Sequence, residues 1–324
     1  MSITSNFPAI KPTLLLDFAN AEQLDPRITF TRASTATYFD QFGVMQTATS
    51  GVARFDHNPS TNESLGLLIE ESRTNLLLNS ASLATQNVTV TAVSTTLSFY
   101  GTGTITLSGT STAGPLVGTG TTNRVTLTFT PTAGTLTLTV SGSVQSAQLE
   151  AGAFATSYIP TEASQVTRAA DAASMTGTNF SSWYNAGQGT LYAEANTYSV
   201  STGNRTSFVI NDATLLNRIA VSHGTTKATV VTSGTTQMSQ SVASVVFTDN
   251  TFSKVSLAYA DNNGNAATNN TLGTLDTAIT IPVVTQLQIG TQVGLAAPVL
   301  NGNIKKLAYY PIRVTDTQLQ ALTS

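Results

Sequence analysis

His57 and His223 are the only imidazoles in this 324-residue sequence, and there is no cysteine. Thiolate nucleophiles, thiolate metal sites and disulfides are therefore excluded, and the supply for a catalytic triad is thin. His223 precedes Gly224 and reads as a solvated turn residue, with no nucleophile or second base signalled nearby. His57, between Asp56 and Asn58, fares no better as a catalytic base. Serine is plentiful, yet no Gly-x-Ser-x-Gly elbow occurs. Glu70 and Glu71 are adjacent, so on a strand they point to opposite faces. They cannot flank one glycosidic bond at the roughly 5 to 9 Å that two-carboxylate hydrolysis needs. Pairing of Glu71 with Arg73, two residues on and on the same face, is expected instead. A glycosidase drawing on a distant second acid stays open at this point.

Residues 261–265 (DNNGN) carry oxygen-bearing side chains like the opening of a calcium loop. The sixth-position glycine and the closing glutamate are missing, so a hairpin turn is the expected structure. Trp183-Tyr184 is the one adjacent aromatic pair that contains a tryptophan. Its flat rings suit the C–H face of a pyranose, although packing within a sandwich is the commoner use of such residues. Tyr100, Trp183, Tyr184, Tyr198, Asp261 and Asn263 are the glycan-contact candidates. No catalytic residue, cofactor site or metal site is assigned.

The elements that must position these residues are strands. Only 10% of residues are charged, 40% are hydrophobic, and Thr is nearly a fifth of the chain. Thr is β-branched and sits well on the wet face of a sheet. The net charge of −3 and pI near 5.3 offer no basic surface to phosphates. Neither nucleic acid nor membrane insertion is expected, and no apolar run approaches the roughly 20 residues of a span. Met1 to Ile10 lacks the pattern of a signal peptide, so none is expected.

Texture divides the chain. Residues 1–62 have near-normal charge density, with two short strands around a turn at 40–43. They read as an N-terminal anchoring arm with little room for its own core. From Ser82 to Leu149 the only charge is Arg124. There, alternation places Val125, Leu127 and Phe129 on one face and threonines on the other, and Leu136, Leu138 and Val140 repeat the pattern. Residues 131–134 read as the hairpin joining those two runs. Such uncharged strands expose pairing edges, and a homo-oligomer is one way to cover them. Residues 63–165 are expected to form one sandwich, 166–174 a linker, and 175–324 a larger antiparallel sandwich. Thr315 to Gln318 form a capping box, opening the one helical turn expected.

Residues 66–77 (GLLIEESRTNLL), 148–152 (QLEAG), 155–161 (ATSYIPT) and 167–171 (TRAAD) resemble segments of tailed-bacteriophage head-spike and tail-fibre proteins. The stretch from Trp183-Tyr184 through 189–194 (GTLYAE), with 302–311 and 315–322, is similar to the concanavalin A/laminin-G-like domains attached to them. The resemblance implies an all-β chain with a carbohydrate-binding-module-like jelly roll followed by a concanavalin A/laminin-G-like sandwich. It further implies a virion component, assembled in host cytoplasm, freed by lysis and trimeric. In this reading the arm is anchored to capsid or tail proteins, and host cell-surface glycans are the outward partner. It supplies no catalytic residue.

Overall fold

The computed structural model describes residues 7–200, 205–242, 245–291 and 300–324. It is all-β, with 47% strand and 5% helix in antiparallel sheets. Two compact units divide it. The smaller is Arg32–Glu63 with Ser72–Ala170, and the larger is Met1–Thr31, Ser64–Glu71 and Asp171–Ser324.

In the smaller unit a four-stranded sheet runs Leu116–Val117, Thr104–Gly109, Gly134–Ser141, Gln86–Val90. A three-stranded sheet runs Gly120–Phe129, Thr95–Gly101, Val144–Ala151. Alternation puts Leu97, Phe99, Ile105, Leu107, Leu136 and Leu138 into one core, with Val125 and Leu127 packed against it. Burying each such side chain contributes about 1.5–3 kcal/mol. The Thr faces are less uniform than alternation predicts. Thr106, Thr135 and Thr139 are exposed, whereas every residue of Thr95–Gly101 is buried. That strand is central, and its polar side is covered by the chain following residue 151: Thr96 Oγ1 donates to the Gly152 carbonyl at 2.8 Å.

The stretch 131–134 is not a hairpin. Gly120–Phe129 pairs with Thr95–Gly101, while Gly134–Ser141 pairs with Thr104–Gly109 and Gln86–Val90 in the other sheet. The turn therefore arches between sheets, which is how two alternating runs face one core instead of sharing one surface. The turn at 40–43 does join a hairpin, Ala36–Phe39 with Met45–Ala48.

In the larger unit one sheet runs Thr271–Leu272, Asn263–Thr268, Ser253–Ala260, Gln188–Ala195, Gly302–Tyr310, Ser64–Ile69. Leu14–Asp17 also pairs on Gly302–Tyr310. The second sheet runs Thr29–Thr31, Ala172–Thr176, Gln286–Ile289, Thr206–Asn211, Arg218–Ser222, Ala228–Thr232, Thr235–Gln240. Met175, Phe208, Ile210, Ile219, Val221, Val230, Leu287 and Ile289 are buried on it. The C-terminal helix Asp316–Leu322 starts at the expected capping box: Thr315 Oγ1 accepts from Gln318 N, and Gln318 Oε1 accepts from Thr315 N. Leu319 is fully buried against Ala258 and Ala267, with Leu322 alongside. Two further single turns, Phe18–Ala21 and Thr178–Ser181, were not expected from the sequence.

The contacts partition the chain differently from its texture. Of the expected arm, residues 7–31 belong to the larger unit and 32–62 to the smaller, while 1–6 fall outside the described residues. Leu14, Leu16 and Phe18 are buried, so this stretch supplies core. The expected linker 166–174 is also ordered, as strand Val166–Arg168 on Arg73–Asn75 and strand Ala172–Thr176. Charge density misled here because a short strand that completes a distant sheet takes its core from that sheet, whatever the charge of its flanking sequence.

Candidate functional site

The sequence segments with the most specific resemblance meet as two sets of buried polar clasps, one in each unit. In the smaller unit Asn75 is completely buried on strand Arg73–Asn75. Its Nδ2 donates to the carbonyls of Ala147 and Ile159 at 3.0 and 2.9 Å. Its Oδ1 accepts from the amides of Leu149 and Leu77 at 3.1 and 3.2 Å. One carboxamide thus satisfies four backbone groups on three segments. Gln148 Oε1 accepts from Ile159 N at 2.7 Å, and Gln148 Nε2 donates to Glu150 Oε1. Glu150, also fully buried, accepts from both the amide and the hydroxyl of Thr156 at 2.9 and 2.7 Å. Ser80 Oγ binds the Tyr158 hydroxyl at 2.7 Å and accepts from Thr161 N at 2.9 Å. Gly152 has φ +141° beneath Arg73, where a Cβ would run into the guanidinium.

In the larger unit Glu70 N donates to Asp171 Oδ2, and Asp171 N donates to the Glu70 carbonyl, each at 2.9 Å. Glu71 N donates to Asn301 Oδ1, and Asn301 Nδ2 donates to Glu71 Oε2, at 2.7 and 2.9 Å. Adjacent residues thus clasp different segments, Glu70 through its backbone and Glu71 through backbone and carboxylate.

Of the six glycan-contact candidates, Tyr100 belongs to the smaller unit and the other five to the larger. Tyr100 is 9% exposed in the smaller unit, edge-on to Phe39 with ring centroids 6.1 Å apart. Arg124 lies 6.0 Å over the Tyr100 ring, and its guanidinium donates to the Thr156 carbonyl and to Ser98 Oγ. Burial raises the phenol pKa of Tyr100, with Arg124 opposing and Asp56 adding to it.

Trp183 and Tyr184 enter an aromatic cluster in the larger unit. Phe180 stacks on Tyr184 at 4.8 Å, and Trp183 is edge-on to Phe180 and to Tyr309 at 5.0 Å each. Trp183 is 4% exposed and its Nε1 donates to the Asn179 carbonyl. Burial supports the packing role for this ring. Tyr259 and Tyr309 hydroxyls meet at 3.1 Å, directly over Gly189, where a Cβ would strike both. Tyr198 is half-buried elsewhere. Asp261 and Asn262 form the two-residue turn between Ser253–Ala260 and Asn263–Thr268, and Asp261 and Asn263 are exposed. Among the described residues no group of three or more His, Asp or Glu is placed to hold a metal ion.

The histidines are the largest departure from the sequence reading. His223 is 1% exposed, so the solvated-turn expectation fails. Its Nδ1 hydrogen-bonds Ser253 Oγ at 2.8 Å and its Nε2 hydrogen-bonds Ser207 Oγ at 3.0 Å. The ring stacks on Phe247, over which Lys227 Nζ also lies. Burial, then Lys227, pushes the imidazole down to about 3. The ring is thus held neutral between two buried hydroxyls. Ser207 and Ser253 are 16 and 30 residues away, so no local spacing announced them. His57 is buried too, with Nδ1 3.1 Å from the Phe39 carbonyl.

No protein-family model and no curated protein matches the sequence. Solved structures do. Domain 4 of AbnA, a GH43 extracellular arabinanase from Geobacillus stearothermophilus in complex with arabinotriose, is similar at 12% identity and TM-score 0.38, over 53% of this chain and 81% of that one. The Ruminococcus gnavus IT-sialidase CBM40 bound to alpha2,3 sialyllactose is similar at 15% identity and TM-score 0.38, over 45% and 88%. The NanB sialidase of Streptococcus pneumoniae is similar at 10% identity and TM-score 0.38, over 45% of this chain, which spans about a quarter (26%) of that enzyme.

Proposed function

We propose that this chain is a non-enzymatic structural protein of a bacteriophage virion, a head spike, capsid decoration or fibre subunit, that displays lectin-like sandwiches. One observation carries the reading. The segments resembling head-spike and tail-fibre proteins are spent on buried clasps such as Asn75 and Glu150, not on lining a reactive cleft. What the resemblance tracks is therefore architecture, and the task that fits is assembly and display. Host cytoplasm is the compartment of assembly, lysis the route of release, and a homotrimer the oligomer in this reading. Mass spectrometry of purified particles tests it: the chain should be present in fixed stoichiometry, and its absence refutes the proposal. Reducing-sugar release from host polysaccharide by the purified chain would refute the non-enzymatic part.

A second reading, a host-polysaccharide adhesin, draws on the turn at Asp261. Asn262 holds positive φ of 52° and donates its amide to the Ile279 carbonyl at 2.8 Å, which fixes the backbone of the turn that carries the exposed Asp261 and Asn263. Glycan-array binding that is lost in an Asp261→Ala, Asn263→Ala double variant favours it.

A further inference from the structure

One row of polar side chains crosses the outer face of the second sheet of the larger unit. Register pairs Thr176 with Gln286, Gln286 with Asn211, and Asn211 with Arg218. Directly paired residues share a face, and the same four strands send Met175, Leu287, Ile210 and Ile219 to the core. The row therefore turns outward and spans three strand spacings, about 14 Å. The next outward row is Ser174, Gln288, Val209 and Ala220, so Arg218 is the only charge in the two.

Amides hold the middle of the row. Asn211, fully buried, donates from Nδ2 to Gln288 Oε1 at 2.7 Å, and Gln286 Nε2 donates to Asn211 Oδ1 at 2.8 Å. Gln286 and Arg218 are half-buried, and Thr176 is exposed.

Arg218 is a cation without an acid. Its Nη1 donates to the Leu215 carbonyl, and among the described residues it forms no ion pair. Burial alone lowers its pKa. The remaining residues of the chain include no Asp or Glu. Asp212 is spent within its own loop, where Oδ1 accepts from Thr214 N and Oγ1, and Oδ2 from Asn217 Nδ2. That loop supplies the Leu215 carbonyl and is firmly tied: Asp212 N donates to the Asn217 carbonyl, Leu216 N to Thr214 Oγ1, and Gly234 N to the Leu216 carbonyl. The guanidinium is thus positioned before a ligand arrives, which cuts the cost of binding.

Chemistry names the ligand. The planar fork of an arginine matches the two oxygens of a carboxylate. The carboxamide of Gln286 and the hydroxyl of Thr176 both donate and accept, as sugar hydroxyls require. A compact phosphate would use the fork and leave the row idle. We propose that this row binds a carboxylate-bearing saccharide, its carboxylate on Arg218 and the hydroxyls of the adjoining rings on Gln286 and Thr176. This rests on the adhesin reading, names its ligand class and puts the contact on the other sheet from the Asp261 turn.

Calorimetric titration of the full chain with tetragalacturonate and with a hyaluronan hexasaccharide tests it, against tetragalacturonate methyl ester and inorganic phosphate at the same ionic strength. At least one acidic saccharide should bind, with the ester and phosphate weaker by about tenfold or more. Arg218→Gln should lose about tenfold or more in affinity, the usual worth of a hydrogen bond to a charged group. Thr176→Glu changes only an exposed side chain, so it keeps the test decisive if Arg218→Gln melts early; its like charge should weaken binding about threefold. Failure of both acidic saccharides to bind, or equal binding of ester or phosphate, overturns the proposal. Affinity unchanged in both variants overturns this face. A glycan-array signal lost in the Asp261→Ala, Asn263→Ala variant and kept in Arg218→Gln supports the adhesin reading while rejecting this row; a wild-type array without signal fails that reading first.

Discussion

The Asn75 carboxamide donates to the Ile159 carbonyl across 2.9 Å, tying together residues 84 apart in the chain. Replacing Asn75 with Leu keeps the volume but strands four buried backbone groups, each worth about 1–3 kcal/mol when left unpaired. Asn75→Leu should therefore lower stability by about 4 kcal/mol. Urea unfolding reads this directly. A loss under about 1 kcal/mol would mean that the clasp is dispensable.

Much of the fold was legible in the sequence because one physical signal, alternation, repeats throughout it. Leu136 and Leu138 stand where the period of two puts them, and residues 188–310 hold antiparallel strands as the larger-sandwich expectation had it. The partners of those strands were not legible. Nothing local in Leu14–Asp17 says that it completes a sheet with Gly302–Tyr310, and nothing in residues 131–134 distinguishes an arch from a hairpin. Burial of polar residues was hidden for the same reason: His223 and Asn75 take partners from distant strands.

His223 predicts an acid limb of stability. Its pKa is lowered to about 3 in the fold and rises to about 6.5 in the unfolded chain, so between these values the unfolded state binds more protons. Its contribution is complete above pH 6.5 and is lost as pH falls towards 3, by up to about 1.4 kcal/mol per pH unit. Wild type should lose about 2–3 kcal/mol more than His223→Phe between pH 6.5 and 4.5. Parallel denaturation midpoints across that range would contradict the buried neutral ring.

Trp183 is the single tryptophan, so its fluorescence reports one site. A ring 4% exposed and enclosed by Phe180, Tyr184 and Tyr309 should emit at short wavelength and resist acrylamide quenching. Saturating glycan ligand should leave the spectrum unchanged. A ligand-dependent shift with protection from quenching would return Trp183 to the binding candidates.

Residues 7–31 should be inseparable from the larger unit. Leu14, Leu16 and Phe18 are 0%, 3% and 1% exposed, and Leu14–Asp17 pairs residue by residue with Tyr309 to Lys306. Phe18→Ala should cost about 3–4 kcal/mol. Deleting residues 1–31 should yield aggregated or protease-sensitive protein. Soluble material with an unchanged melting profile would show that this strand is an ornament on the sheet.

The proposed trimer meets a narrower set of surfaces than sequence alone offered. The free edge of Gly120–Phe129 is interrupted by a register shift between Gly120 and Val125 and ends at Pro131, two devices that blunt strand addition. What stays open and uncharged is the outer face of the four-stranded sheet, where Thr106 stands opposite Thr139 and both are exposed. If three copies meet there, Thr139→Lys places three like charges at one interface and should drive the assembly to monomer, while Thr126→Lys, on the other sheet, should leave it whole. Light scattering at micromolar concentration should give three times 33.7 kDa for wild type and for Thr126→Lys. A single-chain mass at every concentration rejects the trimer in solution; a trimer untouched by Thr139→Lys rejects this face as its interface.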